Sequence, residues 1–335
     1  MSSFFLAGAE AQVQGSPTMR LHALIDWQAI EEKLVGLYKR EQSRAGGPEP
    51  YSPLGMFKLM LLGQWHRLSD VQLEEALKVR LDFLMFGGFD LGAALPDSTT
   101  ICRFRHRLVA AGLDAPLLAE INRQLEALGL KVSEARGAII DASIIESAAR
   151  FNRTVEVSPK GQVSVSDSAD AQARWVKKGK HYFYGYRTYL AVDTEDGFIE
   201  TSFTKPANES ETKQFKRLVR QLPGSVDGIL ADKGFASLEN RRYLQRKKLT
   251  DFIQQNGHYR RPLEAWQKAL NRLIGTLRYK VERAFGTLKR QFHLARARYF
   301  GTKQVQAQVH WAAIGFNLLK AQRKMERLQM QPARS

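Results

Sequence analysis

Three acids stand out by where they fall. Asp141 lies inside the apolar run "GAIIDASII", between Ile140 and Ala142. Asp232 closes "GILAD" at the carboxyl end of a predicted strand, and Gly234 frees the backbone just beyond. Glu282 is the only acid from Asn271 to Phe300, against eight Lys and Arg residues. An ionised carboxylate is costly to bury unless it is paired or bound to a metal. Each has a plain structural reading: a turn Asp, a strand-end Asp, and a Glu paired at i,i+4 with Arg278. That last pair is worth only a few tenths of a kcal/mol. Together the three meet one chemical requirement. Phosphodiester cleavage by a two-metal route needs hard oxygen ligands converging on Mg²⁺ ions about 3.5–4 Å apart. Acids on two neighbouring strands and a packed helix can converge in this way without a Ser, His or Cys nucleophile.

The elements that must position these acids are legible in outline. A helix turns by about 100° per residue. Along "LRYKVERAFGTLKRQF", Leu277, Val281, Leu288 and Phe292 therefore form an apolar stripe, and Arg278, Glu282 and Lys289 share one edge of it. "GAIIDASII" reads as a buried strand. "HYFYGYRTYLAVDTEDGFIETSFT" reads as a hairpin in which Tyr182, Tyr184 and Tyr186 alternate for packing rather than chemistry. "SETKQFKRLVRQL", a strand "VDGILADKGF", "SLENRRYLQRKK", a strand "LTDFIQQ" and a helix over roughly 263–292 follow. This order implies an α/β layer domain. Residues 146–180 are polar and read as a long loop or arm. Within them "ARWVKKGK" sets Trp175 among Lys177, Lys178 and other cations, an arrangement that can stack on an unpaired base or simply anchor the loop.

Upstream, from Leu21 to about Leu130, the spacing is helical. "IDWQAIEEKLVGLYKRE" predicts one helix. A second starts with Ser52 as cap and Pro53 at the first helical position. "SDVQLEEALKVRLDFLMF" predicts a helix capped by Ser69, and "PDSTTICRFRHRLVAAGL" one capped by Asp97 or Ser98 and ended by Gly112. The last carries Arg103, Arg105 and Arg107 in its first turns. That suits a helix-turn-helix module entering a major groove, or equally a solvated basic face.

The bulk numbers fit a partner of opposite charge. The chain has 335 residues, 51 Lys and Arg against 34 Asp and Glu, and a net charge of +17. Such a field attracts polyanions, nucleic acid first. The single Cys102 excludes an internal disulfide framework, and the seven histidines lack zinc-ligand spacing. No run reaches the roughly 18 apolar residues of a membrane span, and the first residues lack the basic segment of a signal peptide. A cytoplasmic, nucleoid-associated protein with no membrane partner is expected.

With these segments in view, the chain resembles the DDE transposases of bacterial insertion sequences, most closely the insertion-sequence-five family. "YSPLGMFKLMLLGQWHRLSD" and "LPDSTTICRFRHRL" resemble that family's N-terminal helical region, and "IIDASII", "GYRTYLAVD", "ILADKGF" and "VERAFGTLKRQF" its catalytic blocks. The resemblance spans roughly residues 20–325. It implies a mixed-sheet, RNase H-like α/β catalytic domain over 135–325, in which Asp141, Asp232 and Glu282 bind two Mg²⁺ ions, with Mn²⁺ able to substitute. A helical, helix-turn-helix-like DNA-binding domain over 18–130 would precede it, with a flexible arm over 1–17 and a tail over 326–335. Arg278 and Lys289 match the Arg and Lys of the extended signature and would touch DNA; Gly275 stands where that signature has a Tyr. The implied partners are terminal inverted repeats, target DNA and a second copy of the chain. Two rival expectations differ in class: a structure-selective nuclease that cuts but never joins, and a non-catalytic DNA-binding regulator.

Overall fold

The computed structural model describes residues 8, 11–38, 49–133, 135–157, 161, 163–257 and 262–329. The chain divides into two compact units, Met1–Lys131 with Trp311–Ser335, and Val132–His310.

The first unit is helical: α1 (Pro17–Leu24), α2 (Trp27–Leu34), α3 (Pro53–His66), α4 (Asp70–Val79), α5 (Leu81–Gly87), α6 (Ser98–Ala110) and α7 (Asp114–Ala127). Its starts follow the predicted caps. Ser52 accepts from the Gly55 N–H with Pro53 at the first position, Ser69 forms a reciprocal box with Gln72, and Asp97 accepts from Thr100. These contacts satisfy N–H groups that a helix start leaves without partners. Two expectations need correction. The helix predicted from Ser69 breaks at Arg80, which adopts an extended backbone and forks onto Asp82 at 3.0 and 2.6 Å. The helix predicted from Ile25 ends at Leu34, where Gly36 takes a left-handed φ of 78°. α3 is buried from Gly55 to Gln64, as befits a helix apolar on nearly every face.

One acid of this unit has more cations than it needs. Glu120, 7% exposed, receives two hydrogen bonds from Arg123 at 2.6 and 3.1 Å and one from Gln124 at 3.1 Å. Lys33 stands 3.5 Å away. The Arg123 hydrogen bonds, against the cost of burial, hold the carboxyl down to about 2.

The predicted end of the catalytic domain at 325 also shifts. The C-terminal helix, Thr302–Gln329, runs past His310 into the helical unit, with residues 311–318 buried in succession. Asn317 donates to Asn122 of α7 at 2.7 Å, and Glu326 faces Arg20 of α1 at 3.7 Å. A segment with so much apolar surface joins a core rather than trailing as a tail. The expected tail is thus helical to Gln329, and 330–335 lie outside the described residues. Of the expected N-terminal arm, Ser16 already caps α1, while residues 1–7, 9 and 10 lie outside the described residues.

The second unit is built on a six-stranded mixed sheet: β1 (Gly137–Glu146), β4 (Arg174–Lys178), β5 (His181–Asp193), β6 (Ile199–Pro206), β7 (Gly228–Ala231) and β8 (Thr250–Ile253). β2 (Phe151–Val157) and β3 (Val163–Ser168) form a separate hairpin. β1 is central. It pairs antiparallel with β5, whose far edge carries β6 and then β4, and parallel with β7, which pairs parallel with β8. This antiparallel meander joined to two parallel strands is the expected RNase H-like arrangement. The predicted loop over 146–180 is therefore largely β-structure. The β1–β5 pair is close: a Cβ on Gly185 would lie 2.2 Å from the Ile145 carbonyl oxygen.

Side chains alternate across β1. Ala138 and Ile140 join Tyr189, Ala191 and Phe203 in the core beneath α8 (Glu211–Val219) and α9 (Leu238–Arg246), to which Phe215, Leu218 and Leu244 belong. Ile139 and Asp141 face the other way. That side is covered by α10 (Ala265–Gln291), which packs on β1, β5 and β7 through the buried Val281, Ala284, Phe285 and Leu288.

Candidate active site

The sheet register brings the first two acids together. Ile140 of β1 pairs with Ala231 of β7 in parallel register, so Asp141 and Asp232 are the next residues of adjacent strands. Strands in a sheet lie about 4.8 Å apart. Asp232 leaves the sheet there and caps a 3₁₀ turn, Lys233–Phe235, accepting from the Lys233 N–H at 2.6 Å. This is the carboxyl end of the parallel strands, where open α/β sheets place their ligands. Gly234 in that turn lies close against a neighbouring side chain. A Cβ there would meet the Glu211 carboxylate, which is itself tied to Arg187 at 2.9 Å. The turn that presents Asp232 is held by Thr212, whose hydroxyl donates to the Gly234 carbonyl at 3.2 Å, and by Asn240, whose side-chain amide donates to the Phe235 carbonyl at 2.9 Å. The sequence carried no signal for these two contacts.

Glu282 enters from α10, and one side chain meets all three acids. The Arg278 guanidinium lies 3.2 Å from Asp141, 3.6 Å from Asp232 and 3.8 Å from Glu282. Only the Asp141 contact is a hydrogen bond. Arg278 is 14% exposed, Asp141 18%, Asp232 32% and Glu282 60%. The Arg278 Nε is buried without a hydrogen-bond partner. Burial pushes the Asp141 carboxyl above its ordinary range; Arg278 and the Ala142 N–H oppose that shift, and nearby Asp232 adds to it. Arg278, expected from its place on the helix edge to touch DNA, is paired here with carboxylates. It pairs with acids on two strands and on its own helix.

The donor set suits a hard divalent cation: three carboxylates, against a single counter-charge. As placed, the three acids surround a guanidinium rather than a shared point. Among the described residues no group of three His, Cys, Asp or Glu side chains stands close enough together to hold an ion.

The basic candidates divide by exposure. Lys289, two turns beyond Glu282 on α10, is half-buried. Burial and the nearby Lys178 push its ammonium pKa down, and Glu146 offsets part of this. Lys177 and Lys178 are exposed on β4. The Lys177 ammonium lies 5.3 Å from the Tyr182 ring. Trp175, 46% exposed, leans on Tyr184 with ring centroids 5.2 Å apart. Of the tyrosines expected to pack, Tyr186 is fully buried and donates to Asp170 at 2.5 Å, whereas Tyr182 is 64% exposed. On α6, Arg103 and Arg107 share an exposed face, with Arg107 over the Tyr38 ring at 5.3 Å. Arg105 is a correction. It is 4% exposed and forks onto Asp70 at 2.7 and 2.7 Å, so it cannot read a base. Its wheel position explains this, because Arg105 follows Ile101 by four and precedes Leu108 by three, which sets it among the buried residues of α6.

The chain is similar to known proteins over most of its length. Residues 133–318 match the family model "Transposase DDE domain", and residues 8–107 match "Transposase domain (DUF772)". The chain is 41% identical over 226 residues to the "Transposase for insertion sequence element IS1106" of Neisseria meningitidis serogroup B, covering 67% of this chain and 78% of that one. Among solved structures, a piggyBac transposase synaptic complex with hairpin DNA aligns over 95% of this chain and 77% of its own, with TM-score 0.47 and 10% identity. The Mos1 strand transfer complex aligns over 86% and 81%, with TM-score 0.25 and 13% identity. Both family models and the curated relative place this chain among the DDE transposases, the metal-dependent enzymes that cut and join DNA.

Proposed function

We propose that this transposase binds the terminal inverted repeats of an insertion sequence, cleaves DNA beside them by two-metal phosphodiester hydrolysis, and joins the freed 3′ hydroxyls to target DNA. The observation that carries this reading is that Asp141 of β1, Asp232 just beyond β7 and Glu282 of α10 all lie within 3.8 Å of one guanidinium, that of Arg278.

In this reading the three carboxylates hold two Mg²⁺ ions, or Mn²⁺ in their place. Such ions lower the pKa of the attacking water or hydroxyl and support the leaving oxygen. The protein's own part is positioning. Asp141 and Asp232 are fixed by the sheet register and by the N–H groups of Ala142 and Lys233. Glu282 stays the most exposed of the three, on the side from which DNA would approach. Burial and the nearby Lys178 depress the ammonium pKa of Lys289, and the two cations form a place for a phosphate that offsets both charges. Trp175 and Lys177 extend that basic edge along β4, where an unpaired base can stack. Arg103 and Arg107, on the exposed face of α6, contact the terminal repeat. Two copies pair the two ends, and the charge of +17 keeps the protein on the nucleoid.

The test is a pair of assays on DNA bearing the inverted repeats that flank the gene. With Mg²⁺, wild type is expected to nick at the repeat ends and to join pre-cut ends to a target plasmid. Asp141→Asn, Asp232→Asn and Glu282→Gln are each expected to do neither. Cleavage without joining would instead identify a hydrolysing nuclease. Wild-type activity retained in the three variants would remove them from the active centre.

A further inference from the structure

Arg278 is held unlike a structural arginine. A guanidinium offers five N–H donors, yet this one makes a single hydrogen bond, at 3.2 Å to Asp141. Its contacts with Asp232 and Glu282, at 3.6 and 3.8 Å, are ion pairs without hydrogen bonds. By contrast, Arg105 meets one carboxylate through two bonds of 2.7 Å. What holds Arg278 is the charge of three acids, and one unit of positive charge leaves that cluster two units negative.

A divalent cation coordinated by the same carboxylates places a double charge against the guanidinium. Ca²⁺ binds carboxylate oxygens at 2.3–2.6 Å, closer than any contact Arg278 makes. Cation and guanidinium repel each other and draw on the same three negative charges, so they compete for the centre. We propose that Arg278 is a built-in competitor for the acid centre: it occupies the three carboxylates until a divalent cation displaces it, and so sets the cation concentration at which the centre loads. The inference rests on the two-metal reading above. Once displaced, the guanidinium is a planar fork suited to a phosphate oxygen pair. A DNA phosphate that captures it favours loading, and cation and DNA then strengthen each other's binding, as linkage requires.

The experiment is calorimetric titration of the whole protein with Ca²⁺ in the absence of DNA. Arg278→Gln is expected to bind Ca²⁺ more tightly than wild type, by about tenfold or more on the scale of ordinary site coupling. Adding Asp141→Asn to that variant should abolish the gain, which locates it at this centre. Arg278→Lys keeps the charge but loses the forked reach across three carboxylates, so its binding should tighten less. It serves as the test variant if the glutamine variant melts early. Equal or weaker Ca²⁺ binding by the folded variants overturns the competition while leaving the two-metal reading intact. No Ca²⁺ bound by wild type or any variant likewise overturns the competition, and the two-metal reading is then decided by the cleavage and joining assays above.

Discussion

Two charged clusters in this molecule mirror each other. In the helical unit one acid, Glu120, is ringed by Arg123, Gln124 and Lys33 at 2.6–3.5 Å. In the sheet unit one cation, Arg278, is ringed by three acids at 3.2–3.8 Å. Both central groups are largely buried, but their geometries differ. Glu120 accepts several short, charge-assisted hydrogen bonds, which are the strong kind. Arg278 makes one long bond and two looser ion pairs, and the surrounding charge exceeds its own. The first arrangement is a joint between α2 and α7, satisfied as it stands. The second is an exchangeable seat, because a stronger cation gains more from those acids than Arg278 does. Burial and opposite charge alone do not separate a structural ion pair from a functional one; hydrogen-bond satisfaction and the local charge balance do.

The widest separation is expected in activity. Asp141→Asn, Asp232→Asn and Glu282→Gln should each lower end cleavage by about a thousandfold or more, roughly 4 kcal/mol of barrier, with melting temperatures near wild type. Glu120→Gln should do the reverse, melting early while cleaving normally per folded molecule. Cleavage assays and melting curves on the same preparations check both. A Glu120→Gln variant that folds fully and fails to cut would erase the contrast.

Next in size is the buried fork of the helical unit. Arg105→Ala removes one partner of a tight pair and should cost about 3 kcal/mol, measured by urea denaturation. Arg103→Ala and Arg107→Ala, on the exposed face, should leave stability within about 0.5 kcal/mol while weakening retention of terminal-repeat DNA. An Arg105→Ala protein with unchanged stability would show that the Asp70 fork is ornamental.

The acid dependence of the Glu120 joint comes third. Its carboxyl is held below the unfolded value of 4.5, to about 2. A depressed carboxyl stabilises the fold above the unfolded pKa, and that stability is lost as pH falls through the folded one. At about 1.4 kcal/mol per unit the shift corresponds to roughly 3 kcal/mol, discounted because Arg123 is 61% exposed and water screens it. The stability difference between wild type and Glu120→Gln should therefore be full at pH 6 and fade between about pH 4.5 and 2. A difference that stays constant down to pH 2.5 would contradict it.

The smallest effect belongs to the basic edge of β4. Lys177→Ala and Lys178→Ala should each reduce the slope of log affinity against log salt by about one for DNA of any sequence, read by filter binding across a salt series. An unchanged slope would move that edge out of the DNA path.

Much of the acid centre was legible because its residues break local rules. A carboxylate within "GAIIDASII" and another at the end of "GILAD" are expensive unless used, and the register then sets them side by side. Arg278 was legible as a neighbour of Glu282, not as a partner of Asp141, since nothing local reports a contact 137 residues away. β4, within the segment 146–180, was missed because it is an edge strand with most of its side chains exposed, so no apolar alternation marks it. Arg105 was misjudged by residue type: its helical spacing already placed it with Ile101 and Leu108, and Asp70 lies 35 residues upstream. The break at Arg80 was hidden because apolar periodicity runs straight through it.

The C-terminal helix has a consequence for how the protein is made. The helical unit begins at the N-terminus, yet part of its core, from Trp311 onward, is added about 180 residues after Lys131. At 5–20 residues per second, the nascent unit waits roughly 10–40 s on the ribosome with an unsealed apolar face. A chain stopped after His310 should show this as lost helical signal and protease sensitivity within residues 17–127. The helices of that unit thus reach their finished core only after Trp311 and the residues that follow it have been made, and a message interrupted before them yields a product without a sealed helical unit.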